Sequence, residues 1–361
     1  MKKNLFLWML LAFGAMTFTA CSEDDDNGGN GGNGNVQNSC YVVNQGGWGF
    51  NNASLQVYDA VAGTATSPDC NEDIFFTANG ELLGDVAQDL LWVGDKLFVT
   101  VTNSQKLEIL DETGKRVRQY TYAAEGASPR YMATDGQKVY VTNYDGYVYV
   151  YNAASGDSLT RIYSGSYPEG VSVVDGALVV NNSNHGGYGG GEATVAVIDL
   201  ASGEAKIIKE NVCNPYTQSL VCGGEVYIID SGNYSDILPT IYRVDTESAT
   251  LEKIVENATY MATCGECIYY VNATFSYSNF MTNYSPLCKL DVATGEKSEI
   301  LPEEAMKDVC SLNVNPQTGD IYVGFSPSAD DFGTMRVYNA DGEQKGLFEV
   351  GYYTSGARFR N

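Results

Sequence analysis

The chain has 361 residues, 44% of them hydrophobic, and a formal charge of −24 from 45 acidic and 21 basic side chains. Such a charge repels nucleic-acid phosphates and anionic membrane surfaces, which argues against nucleic-acid binding. A single histidine, His185, leaves little material for imidazole-based acid–base or metal chemistry.

In chain order, residues 1–20 read as a signal segment. Lys2 and Lys3 precede an apolar run that is short for a membrane span and closes on "FTAC". That pattern resembles a lipoprotein signal, with Cys21 the lipidated residue after cleavage. A secretory signal with an incidental cysteine is the plainer alternative. Residues 21–39 follow as a polar tether, "SEDDDNGGNGGNGNVQN", too poor in apolar surface to offset its ordering entropy. The acidic start of the tether resembles the surface-export signal of lipoproteins in the Bacteroidota, which implies the outer leaflet of the outer membrane, facing out. Cleavage removes two lysines and no acids, so the mature chain carries about −26.

From residue 40 onward the chain repeats itself. Strands of alternating polarity end in Asp or Asn and a tight turn closed by Gly63, Gly114, Gly156, Gly203, Ala249, Gly295 and Gly342. Asp and Asn can accept from their own backbone two residues on, and glycine supplies the positive φ such turns require. A second set of turns interleaves with the first, in "LLWVGDKLFVT", "VSVVDGALVVN" and "MATCGECIYYV", each a hairpin signature. Four strands per repeat predict an all-β, seven-bladed β-propeller over residues 40–361. Six repeats are complete, starting near Gly84, Ser128, Pro168, Asn214, Ala258 and Lys307. The seventh is split: residues 40–63 supply middle strands, and "YYTSGARFRN" at the C-terminus supplies the inner one, closing the ring. Almost nothing reads as helix; "PEEAMKD" is one or two turns at most.

These repeats resemble the YncE-like seven-bladed propellers, in the lipoprotein branch found in the Bacteroidota. The likeness is specific for fold and weak for function. The WD40 signature is missing, and Trp48 and Trp92, the only tryptophans of the mature chain, do not make the regular pattern of quinoprotein dehydrogenases. Within that branch the resemblance implies BtuG-type capture of vitamin B12 and related corrinoids, and delivery to a TonB-dependent outer-membrane transporter.

Eight cysteines remain beside Cys21 and could form up to four disulfides outside the cytoplasm, or be buried. Cys264 and Cys267 make a lone C-x-x-C, without the second pair or the histidines that zinc needs.

Insertions collect in the loops between second and third strands, and these share one face of a propeller with the connections between blades. The loops carry Trp48, Phe50, Tyr144, His185, Tyr188, Tyr234 and Tyr277; the connections carry Tyr167, Tyr216 and Tyr353. Rigid rings with polar tips among small residues suit a recognition surface. The run "NSNHGGYGGGEA" precedes a strand and lacks the Lys-Ser/Thr and helix of a phosphate loop, so it is read as part of that face. Asp85, Asp89, Glu169, Asp330 and Asp331 are available carboxylates, expected to be solvated, and their spacing pairs none of them. The expectation is a non-catalytic, ligand-binding surface lipoprotein with no cofactor and no metal. A glycan- or protein-binding module is the alternative, and a lactonase-like enzyme the third.

Overall fold

A computed structural model describes residues 39–59, 64–65, 73–124, 126–187, 189–276, 280–328 and 331–360. The expected signal and most of the tether, including Cys21, lie outside the described residues, as do Cys70, Tyr188, Tyr277 and Asp330. Seven antiparallel sheets of four strands form the propeller. Blade one is Ala87–Val93, Lys96–Val101, Lys106–Leu110 and Arg116–Thr121. Blades two to six begin with the inner strands Pro129–Thr134, Pro168–Val174, Ser219–Cys222, Tyr260–Cys264 and Val309–Val314. The seventh is split as the repeat count requires: C-terminal Thr354–Phe359 is innermost, pairing with Ser39–Asn44, then Ser54–Asp59 and the short Thr64–Ala65.

The repeated turns have the expected chemistry. Asp199 Oδ1 accepts from the backbone of Ala201 and Ser202, Asp245 Oδ1 from Glu247 and Ser248, and Asp291 Oδ1 from Ala293 and Thr294. Gly203 closes its turn at φ +77°, and Ala249 takes the same left-handed conformation at +53° despite its Cβ.

The core is not one mass. Seven apolar clusters, one between each pair of neighbouring blades, fill the ring. Cys40, Val42, Tyr322, Met335 and Val350 join the closing blade to blade six; Tyr41, Leu55, Leu90 and Val99 join it to blade one. The described cysteines, Cys40, Cys213, Cys222, Cys264, Cys267, Cys288 and Cys310, are free thiols rather than bridged. Cys264 and Cys267 face each other across a hairpin turn, and Cys40 is fully buried, its thiol pushed far up by burial.

A helix the sequence reading missed, Ile74–Asn79, leads into blade one; Asp73 caps it by accepting from Phe76 N–H, and Gly80 ends it in the left-handed region. "PEEAMKD" gives only a 3-10 turn, Glu303–Met306. The long loop of blade five folds back as its own hairpin, Ala273–Ser276 with Met281–Tyr284.

Candidate ligand-binding face

The site grows from a backbone irregularity repeated around the ring. The inner strands of blades one, two, three and six are bulged near their starts, between Ala87 and Asp89, Pro129 and Met132, Pro168 and Val171, and Val309 and Ser311. A bulge re-aims the side chains it carries. Here it carries Gln88, Arg130 with Tyr131, Glu169 with Gly170, and Cys310. Threonines of preceding blades hold the bulged carbonyls: Thr100 Oγ1 donates to Arg130 O and Thr142 Oγ1 to Glu169 O, both at 2.6 Å.

Arg130 and Glu169 meet in a buried ion pair, Nε to Oε2 at 2.7 Å, with side chains 8% and 0% exposed. Arg130 Nη1 donates to Gln88 Oε1 (2.7 Å), whose Nε2 donates to the Tyr131 hydroxyl (3.0 Å). The Tyr144 hydroxyl donates to Glu169 Oε1, and the Tyr216 hydroxyl lies 3.5 Å from that of Tyr144. Burial pushes the Glu169 carboxyl up, against the pull of Arg130; the donors converging on it favour the carboxylate. Burial, reinforced by that carboxylate, pushes the Tyr144 phenol far above its ordinary range, so it remains a donor. The rings of Tyr131, Tyr144 and Tyr216 surround the guanidinium at 5.7, 5.0 and 5.7 Å.

Four of the expected residues cluster here. His185 stacks on Tyr167 at 5.2 Å and 29°, meets Tyr144 edge-on at 5.5 Å, and lies 6.5 Å from Tyr216. The glycine-rich run is a shaped loop. Asn184 Nδ2 donates to Gly191 O and its Oδ1 accepts from Gly191 N–H. A Cβ on Gly189 would sit 2.6 Å from the Tyr167 ring and 2.4 Å from Asn184 Oδ1, so only glycine lets the loop close over Tyr167. Tyr167 and His185 hold φ of +53° and +52°, conformations an L-residue keeps only when its surroundings impose them.

Beside this cluster the axis opens into a cavity of about 680 Å³, within the usual range for small-molecule sites. Trp48, Tyr216 and Tyr353 line it, with Gln88, Arg130, Tyr131, Gln218, Tyr260 and Tyr284. Trp48 is 72% exposed, so it stands at the rim. A second space of about 320 Å³ continues toward the opposite face, and Gln218, Met261 and Asn313 border both.

Two expected residues stay apart. Phe50 folds over Gly47 within its own loop, and the Tyr234 hydroxyl accepts from Asn214 Nδ2 at 3.3 Å. Neither lines the cavity. Three carboxylates expected in solvent are buried and committed. Asp85 accepts from Gly49 N–H and the Asn103 amide, joining two loops. Asp89 accepts from Leu90 and Met132 N–H and pairs with Arg358 at 2.7 Å. Glu169 faces Arg130. Asp331 is exposed and accepts from Ser328. Among the described residues, no three of the His, Cys, Asp and Glu side chains are placed to hold a metal ion.

No protein-family model matches the sequence, and no curated protein matches it. The fold is similar to that of a quinonprotein alcohol dehydrogenase-like protein from Bacteroides thetaiotaomicron, with TM-score 0.63 and 16% identity over 90% of this chain and 79% of that one. It is also similar to Kuenenia stuttgartiensis hydrazine synthase, with TM-score 0.53 and 15% identity over 67% and 73% of the two chains. A third likeness is to the Neurospora crassa Pan2 WD40 domain, with TM-score 0.55 and 12% identity over 74% and 78%. At such identities the likeness establishes the propeller and nothing about ligand or reaction.

Proposed function

We propose that this propeller is a non-catalytic binding protein that captures a ligand on its long-looped face, at the mouth of the axial cavity. The observation that carries this reading is the convergence of Trp48, Tyr216 and Tyr353 on that cavity beside the Tyr144–Tyr167–His185 cluster. Aromatic rings cover a partly apolar ligand with little loss of side-chain entropy, and the amides and hydroxyls between them satisfy its polar rim. The buried carboxylates are engaged in holding backbone or arginine, which supports binding over acid–base chemistry.

The resemblance in sequence supplies the specific form: capture of vitamin B12 or a related corrinoid at the cell surface, for delivery to a TonB-dependent transporter. Gln45, Gln88, Gln218 and Asn313 on the cavity wall equally suit sugar hydroxyls, so glycans are the second reading. Titration calorimetry with cyanocobalamin, cobinamide and soluble glycans separates the two. Heat from a corrinoid alone supports corrinoid capture; heat from a glycan alone replaces it; no heat from any of them rejects the binding role proposed here.

The protein is held at the membrane by lipid on Cys21 and carried outward by the acidic residues that follow it. Cys21→Ser should release the protein from the membrane fraction, and replacing Glu23–Asp26 by neutral residues should retain the lipid and lose surface exposure. Protease shaving of intact cells reads both. Equal shaving of the neutralised variant and the wild type would reject the export signal.

A further inference from the structure

Arg130 and Asp308 are the only charged side chains among the described residues that line the axial cavity, and they start blades two and six, on opposite sides of the ring. Arg130 is 6% exposed. Its Nε is committed to Glu169 and its Nη1 to Gln88, and no described residue accepts a hydrogen bond from Nη2. Nη2 therefore opens on the cavity, where an acceptor on a ligand can take the place of water. Glu169 and Tyr144 do not line the cavity; they stand behind Arg130, so the pair presents its positive end to the cavity while Glu169 offsets the cost of burying the charge. The surrounding tyrosine rings fix the guanidinium, and its remaining Nη2 is a charge-assisted donor suited to a carboxylate or phosphate oxygen.

From these observations we infer that the cavity anchors its ligand through an oxyanion, a carboxylate or a phosphate ester, accepted at Arg130. This rests on the binding role proposed above and adds the ligand's chemical class. Asp308 on the far wall, which accepts from the Tyr284 hydroxyl at 3.2 Å, repels the same group and so sets its direction. The rest of the chain, strongly acidic, gives an anion no general attraction. Selectivity therefore comes from one local contact.

Two ligand pairs test this and distinguish the sources of the oxyanion. Cyanocobalamin carries a phosphodiester that cobinamide lacks, and digalacturonic acid carries carboxylates that its methyl ester masks. In calorimetry on the wild-type protein, the acidic member of whichever pair binds should be favoured at least about tenfold, the worth of one charge-assisted hydrogen bond. The double variant Arg130→Gln/Glu169→Gln, which removes both charges together, should bind digalacturonic acid and its ester alike and should lose about tenfold of any preference for cyanocobalamin. Equal binding of both members by the wild type overturns the anchor and leaves the binding role standing. A preference of undiminished size in the double variant overturns the assignment to Arg130. No heat from any of the four compounds overturns the anchor, and no heat from the wider glycan panel as well overturns the binding role. The wild-type comparison stands by itself should the double variant not fold.

Discussion

Deleting residues 352–361 should abolish the folded ring rather than trim it. The segment contains the whole inner strand Thr354–Phe359, which pairs with Ser39–Asn44. Its removal strips Ala357 and Phe359 from the cluster joining the closing blade to blade six. It also removes Ser355, which donates to Ala87 O, and Ala357 N–H, which donates to Asn313 Oδ1. Most of all it removes Arg358 from Asp89, a carboxylate 4% exposed. Breaking one side of a buried pair costs about 3–5 kcal/mol, the Ala357 methyl adds about 0.8 kcal/mol, and the partly buried Phe359 ring adds up to roughly 1.5–3 kcal/mol. The sum rivals the whole stability of a typical domain, about 5–15 kcal/mol. A thermal melt or urea titration reads the effect. A truncated chain that melts with the full-length protein would reject closure through the split blade.

Arg130→Met should be the most damaging single substitution on the cavity wall. It leaves Glu169, with no exposed surface, holding an uncompensated charge, and it removes the cation that the rings of Tyr131, Tyr144 and Tyr216 surround. The expected loss is about 3–5 kcal/mol. Arg130→Met combined with Glu169→Leu should lose much less than Arg130→Met alone, because a buried pair replaced by apolar groups of similar volume is often nearly neutral. A double-mutant cycle by urea unfolding measures the coupling. A loss below about 1 kcal/mol for the single change, the figure for an exposed pair, would contradict the buried pair.

The ring was legible because its signal is local and repeated. Each Asx turn needs only an Asp or Asn and a residue that tolerates positive φ, and seven copies fix both the blade count and the faces. The helix Ile74–Asn79 was not legible: one and a half turns, "IFFTAN", have no periodicity to read, and its caps, Asp73 and Gly80, look like any loop. The site was legible in part. Tyr144, Tyr167, His185 and Tyr216 meet because loops and connections share a face, which topology alone dictates. Phe50 and Tyr234 share that face but turn to local partners, which residue type does not announce. Arg130 stood in "SPRY", at the start of an inner strand; what turns it toward the axis is a bulge, and a bulge depends on cross-strand register. Asp85, Asp89 and Glu169 were expected in solvent because their partners, Gly49, Arg358 and Arg130, lie 36, 269 and 39 residues away.

The proposal that the long-looped face is the binding face is tested most directly by calorimetry on paired aromatic substitutions, using whichever probe binds the wild type. Trp48→Ala with Tyr216→Ala removes two rings from the cavity lining. Tyr163→Ala is the control, on an outer strand and 66% exposed. Rings that a bound ligand covers fully are worth about 2 kcal/mol or more each, and 1.4 kcal/mol is a factor of ten. The paired variant should therefore bind roughly a hundredfold or more weakly at a temperature where its melt shows it folded, and the control should bind normally. Unchanged affinity in the Trp48/Tyr216 variant would contradict the assignment of the ligand to this face.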